Sequence, residues 1–112
     1  MENIDQHLEE ALSFAQYQTT LNQQRRLLKE QFESNTIVAY NGGLFKITQE
    51  WLGGFDLTSR WFLDNNNIPI EITNPKELLD LARDTYSRAI DRYGEEYQLL
   101  RKQRSVRSLT SL

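Results

Sequence analysis

The stretch Tyr40-Asn41-Gly42-Gly43-Leu44 constrains this chain more than any other. A tight hairpin turn needs positive φ at its central positions, which Gly adopts freely and Asn tolerates. The β-branched and aromatic run Ile37-Val38-Ala39-Tyr40 precedes the turn, and Leu44-Phe45-Lys46-Ile47-Thr48 follows it. The spacing predicts an antiparallel hairpin. Val38 and Tyr40 share one face of its first strand, and Phe45 and Ile47 share one face of its second. A second unit repeats the plan: Arg60-Trp61-Phe62-Leu63, a turn over Asp64-Asn65-Asn66-Asn67, then Ile68-Pro69-Ile70-Glu71-Ile72. Asp and Asn side chains bond to nearby backbone and accept left-handed conformations, so the cluster reads as a turn. Pro69 has no N–H to donate, which places its strand at an edge or a bulge. The simplest arrangement of four such strands is one small antiparallel sheet over residues 36–72.

Residues 48–58 between the hairpins admit two readings. Phe45, Ile47, Gln49 and Trp51 alternate, so the second strand could continue. Alternatively, Thr48 caps one or two helical turns that carry Trp51, Leu52 and Phe55 on one side. Gly53-Gly54 weakens a helix, but the short helix is the preferred expectation.

Long helical patterns flank the sheet. Residues 4–33 contain no Pro or Gly and are rich in Gln, Glu, Leu, Ala and Arg. Such a helix would be about 45 Å long. Its apolar positions split into two rows about a third of a turn apart: Ile4, Leu8, Ala11 and Ala15, then Phe14, Tyr17, Leu21, Leu28 and Phe32. Either the helix bends near residues 13–18, or its first half faces a different neighbour from its second, such as another subunit. The second helix has the clearest boundary in the chain. Asn74 is a preferred N-cap, Pro75 fits the first helical position, and Glu77 completes a capping box. Leu78, Ala82, Tyr86, Ala89, Tyr93, Tyr97 and Leu100 then form one stripe, and the helix is expected over 74–104. Gly94 inside it is a tolerated weak point or a close-approach site. Residues 105–112 are expected to be disordered. The fold class is therefore α+β: two long helices flanking a small antiparallel sheet of two β-hairpins, in a single domain over 1–112.

Charge divides by position rather than in bulk. The net charge is −3, which does not argue for nucleic acid. Residues 1–10 carry Glu2, Asp5, Glu9 and Glu10 and no cation other than His7 when it is protonated, whereas 101–112 carry Arg101, Lys102, Arg104 and Arg107 and no acid. Antiparallel helices would set these ends side by side, and the same matching could join two copies. The absence of cysteine removes disulfides and thiolate chemistry. No segment approaches the roughly 20 apolar residues needed to span a bilayer. With no basic, apolar leader pattern at Met1-Glu2-Asn3-Ile4-Asp5, the chain is expected in the cytoplasm of a cell or in a virion rather than secreted.

No catalytic pattern stands above background. His7 is the only histidine and has no ligand cluster around it, so it reads as a surface residue. The Asp64–Asn67 run fails as a calcium loop, because Ile68 stands where an oxygen ligand is needed. Neither glycine pair leads into Gly-Lys-Ser/Thr. Asp80, Asp84, Asp91, Glu95 and Glu96 interleave with Arg83, Arg88 and Arg92 at ion-pair spacing, as on a solvated face. The expectation is a non-enzymatic protein without cofactor or metal. The long stripes exceed what one small body can cover, so a homo-oligomer is expected, a dimer first, with Leu21, Leu28, Phe32, Tyr86, Tyr93 and Tyr97 as its interaction surface. The alternative is a nucleic-acid accessory that uses Arg101, Lys102, Arg104 and Arg107, whose binding would be weak and salt-dependent.

Leu63-Asp64-Asn65-Asn66-Asn67-Ile68-Pro69-Ile70-Glu71-Ile72, followed by residues 74–81, resembles small uncharacterised proteins of T4-like phages that infect marine cyanobacteria. The resemblance covers roughly residues 36–100 and rests on the hairpin-then-helix pattern. It carries no catalytic residues. It implies a phage-encoded virion component or assembly accessory.

Overall fold

The Asn41-Gly42 turn forms as its chemistry requires, with φ of 49° at Asn41 and 83° at Gly42. The computed structural model describes residues 2–110, and side chains over residues 8–103. The elements in chain order are α1 (Glu2–Asn35), β1 (Ile37–Tyr40), β2 (Gly43–Lys46), α2 (Gln49–Gly53), β3 (Trp61–Leu63), β4 (Pro69–Glu71) and α3 (Pro75–Thr110). The α+β class and the order expected from the sequence are those of the structure.

β1 pairs antiparallel with β2 through Val38↔Phe45 and Tyr40↔Gly43, and the Ile47 N–H extends the ladder by donating to the Thr36 carbonyl. β3 pairs antiparallel with β4 through Trp61↔Glu71, Phe62↔Ile70 and Leu63↔Pro69. Pro69 thus sits on an edge strand. The four strands do not merge into one sheet; they form two separate two-stranded ladders. The cause lies at Leu44. Val38–Phe45 and Tyr40–Gly43 bond to each other, so the Leu44 backbone faces outward from β2. The second hairpin's turn occupies it: the Asn65 N–H donates to the Leu44 carbonyl at 2.7 Å, and the Leu44 N–H donates to Asp64 Oδ2 at 3.3 Å. No edge is left there for a third strand.

Thr48 caps α2, its hydroxyl accepting from the Trp51 N–H at 3.0 Å, so the connector is helical at its start. Asn74 and Glu77 exchange hydrogen bonds at the start of α3, each 3.3 Å long. Glu77 also faces the Tyr40 phenol, tying α3 to β1. Burial, and then the charge and hydrogen bond of Glu77, push this phenol above its usual range.

The core sits where the hairpins, α2 and the first turns of α3 meet. Val38, Phe45, Ile47, Ile72, Leu78 and Ala82 are buried there, with Trp51, Leu52, Phe55, Phe62 and Ile70 packed against them. Rings continue outward from Phe45 to Trp51, Phe55 and Phe62, the last two stacked at 4.8 Å. This small cap holds one end of a helical hairpin. α1 and α3 hold 34 and 36 residues, so each is roughly 50 Å long at 1.5 Å per residue. α3 continues to Thr110, past Arg104 where the sequence placed its end. Where disorder was expected over 105–112, the backbone is helical through Thr110; residues 111–112, and the side chains from 104 onward, like that of His7, lie outside the described residues. The molecule measures 74 × 24 × 19 Å, with a radius of gyration of 21.7 Å. A compact domain of this length would have about 13 Å.

Candidate interaction surfaces

The six residues expected to carry an assembly surface lie first of all in the seam between the chain's own helices. The Phe32 ring stacks on Tyr93 at 5.0 Å and meets Tyr86 edge-on at 6.0 Å, and Tyr93 meets Tyr97 edge-on at 6.1 Å. Leu21 is buried, while Leu28, Phe32, Tyr86, Tyr93 and Tyr97 are half-buried. Such aromatic pairs contribute about 0.5–1.5 kcal/mol beyond area burial. The antiparallel register that sets Phe32 against Tyr86 and Tyr93 also brings Leu21 level with Leu100, which is likewise buried. Of the basic residues at the far end, Arg101 lies over the Tyr97 ring at 5.1 Å, a cation–π contact, and Lys102 is exposed. The Arg104 and Arg107 side chains lie outside the described residues. On the outer face of α3, Arg88 pairs with Asp84 and Arg92 with Glu96, as a solvated face requires.

Two apolar clusters remain open, besides the single exposed side chains Leu27, Leu81, Ile90 and Leu99 along the rod. One is the far third of α1. Every described residue over 8–16 is exposed, including Leu8 at 58%, Leu12 at 55% and Phe14 at 64%. Phe14 continues the seam row, and Leu8 and Leu12 sit with Ala11 and Ala15 in the other row. α1 runs unbroken from Glu2 to Asn35, and its first half is open where its second half meets α3.

The other open surface is the outer side of the cap. Ile37, Leu44, Leu57, Trp61, Leu63 and Ile68 are all exposed. The sequence signal for this surface was available: both parities of the strands are apolar, so only one could point into the core. Ile70 and Ile72 point inward, and Ile68, expected on their face, stands at the turn instead.

Asp64 holds that turn. It is 7% exposed. Its Oδ1 accepts from the Asn66 and Ile68 N–H groups at 2.9 Å, and its Oδ2 accepts from Leu44. The bond from Ile68, supported by those from Asn66 and Leu44, holds the carboxyl below its usual range against the opposing effect of burial. A depressed native value means that the ionised form stabilises the fold. That stability is complete above the unfolded value of about 3.9 and is lost as pH falls below it, through the native value. Asp64→Asn keeps an oxygen for Asn66 and Ile68 but turns an amide donor toward the Leu44 N–H. The expected result is a melting temperature lower by roughly 5 °C at pH 7. The variant should also lose less stability than the parent between pH 4 and 2.5, as read by thermal melts across that range.

Among the described residues, no group of three or more His, Asp or Glu side chains could hold a metal ion, and no helix is long and apolar enough to cross a membrane. No protein family, curated protein or solved structure matches this chain.

Proposed function

We propose that this chain is a non-enzymatic structural or assembly protein, a self-associating rod that works through protein contacts. The observation that carries this reading is its surface. The chain exposes 8663 Å², whereas a compact monomer of 13.2 kDa exposes about 6,400 Å². The excess of roughly 2,200 Å² per chain is within what an obligate homodimer buries per partner. Exposed large apolar side chains cluster toward the two ends of the rod, with Leu8, Leu12 and Phe14 at one and Trp61, Leu63 and Ile68 at the other. The resemblance of residues 36–100 to small phage proteins is in keeping with a role in a virion or its assembly. A nucleic-acid role through Arg101, Lys102, Arg104 and Arg107 has less support, because the chain as a whole carries a net charge of −3.

Sedimentation equilibrium tests the reading. A dimer or larger species is expected at micromolar concentration. A species of 13.2 kDa at every concentration up to 100-fold higher would refute self-association.

A further inference from the structure

Three observations converge on the end of the rod away from the cap. Residues 8–16 of α1 are all exposed, with Leu8, Leu12 and Phe14 more than half open. These apolar residues lie on two faces of the helix roughly a third of a turn apart, at 100° per residue. A helix with two such faces has two neighbours, as in a four-helix bundle. Its own α3 can supply only one of them. The rod as a whole has surface to spare for a second chain.

Charge indicates which chain. Glu9 and Glu10 stand on the outer third of α1, with Glu2 and Asp5 before them in sequence, while Arg101 and Lys102 on α3 follow Leu100 and so come level with residues 19–20 of α1, about ten residues nearer the cap. The far end of the rod is therefore acidic on α1 and, nearer the cap, basic on α3. A twofold axis across it sets the acidic edge of each copy on the basic edge of the other, as an isologous interface requires. A partner of one charge sign would match only half of it.

We propose that two copies dimerise tail to tail, with Leu8, Ala11, Leu12 and Ala15 of each α1 packed into a short four-helix bundle and the two caps facing outward at opposite ends. This rests on the reading of the chain as self-associating and adds which surface does it. The outer face of the cap, with Trp61 and Leu63, stays free in the dimer.

The test compares two double variants of the full chain by sedimentation. Leu8→Gln with Leu12→Gln changes exposed side chains to good helix formers, so the cap core is untouched and tryptophan fluorescence serves as the folding control. It should weaken dimerisation roughly 100-fold or more, since four leucines per dimer lose their burial. Trp61→Ser with Leu63→Ser should leave dimerisation unchanged. Dimerisation should also weaken as salt rises, because charge pairing at an exposed edge is screened.

Geometry provides the second readout. Two 74 Å rods with residues 8–16 of each α1 packed antiparallel overlap from residue 2 to residue 22, about 30 Å, and span roughly 120 Å. Because the chain has no cysteine, Gln16→Cys and Asn41→Cys each give a single spin-label site. Labels at 16 should couple strongly between copies, and labels at 41 should not couple at all. If the cap variant dissolves the dimer while the tail variant leaves it intact, or if labels at 41 couple and those at 16 do not, the tail-to-tail arrangement is wrong though self-association stands. If the parent chain is monomeric throughout, both fall together.

Discussion

Phe45→Ala should destabilise the protein by about 3–5 kcal/mol, the largest effect expected of any single truncation in the cap. Phe45 is 1% exposed and pairs across the hairpin with Val38. Its ring is the inner end of the series that passes through Trp51 and Phe55 to Phe62. Removing it leaves a cavity where both hairpins, α2 and the start of α3 come together. Few other buried side chains share that load, so the site has little material with which to collapse. Total stabilities of 5–15 kcal/mol are usual for a domain, so the loss is a large fraction of the whole. The cap should therefore melt separately from the helical pair. Urea titration followed by Trp51 and Trp61 fluorescence should show an early transition, with far-UV circular dichroism retaining much of its helical signal beyond it. Phe45→Leu keeps most of the volume and should cost well under half as much. A loss below about 1 kcal/mol for Phe45→Ala would mean that the core lies elsewhere.

The parts of this fold that could be read in advance are those made by bonds between near neighbours. Asn41-Gly42 takes positive φ, Thr48 caps α2, and Asn74 and Glu77 cap α3, each within a span of four residues. Residue identity is enough to specify such contacts, because the chain itself keeps the partners close. The features that escaped depend on partners brought from afar. Asp64 was legible as a turn residue, but its bond to the Leu44 N–H spans twenty residues. That bond, with Asn65, is what divides the strands into two ladders. The periodicity of α1 and α3 showed which faces were apolar without showing what each face meets. Phe32, Tyr86 and Tyr93 therefore read equally well as an interface between copies and as the seam inside one chain, and the structure uses them for the seam. Leu12, exposed beside Leu8, belongs with the row of Ile4, Leu8, Ala11 and Ala15, which α1 carries only over its first half, so the periodicity of the whole helix gives it little weight. At Gly94 no atom lies within 4 Å of an added Cβ, so of the two readings of that residue the tolerated weak point is the one observed.

Gly43→Ala should be the most damaging single-methyl change in the chain, and its damage should be reversible at one other site. A Cβ on Gly43 would lie 2.7 Å from Ile70 Cγ1, 3.1 Å from Ile70 Cδ1 and 3.2 Å from Phe45 Cε2. This is where β4 presses on β2, with Asn41 Nδ2 reaching the Glu71 carbonyl alongside. Ile70 cannot simply rotate away, because a β-branched side chain is held to few χ1 states and Phe45 closes the other side. Overpacking of this kind costs about 1–3 kcal/mol. Ile70→Ala alone should also destabilise, by about 2–4 kcal/mol for a side chain only partly buried. The double variant places a methyl where Ile70 has withdrawn, so its loss should be smaller than the sum of the two singles by at least about 1 kcal/mol. Chemical denaturation of all four proteins in the cycle measures this coupling. Additive losses would show that the backbone of β2 yields instead, in which case the contact of Gly43 with Ile70 does not set the spacing of the two hairpins.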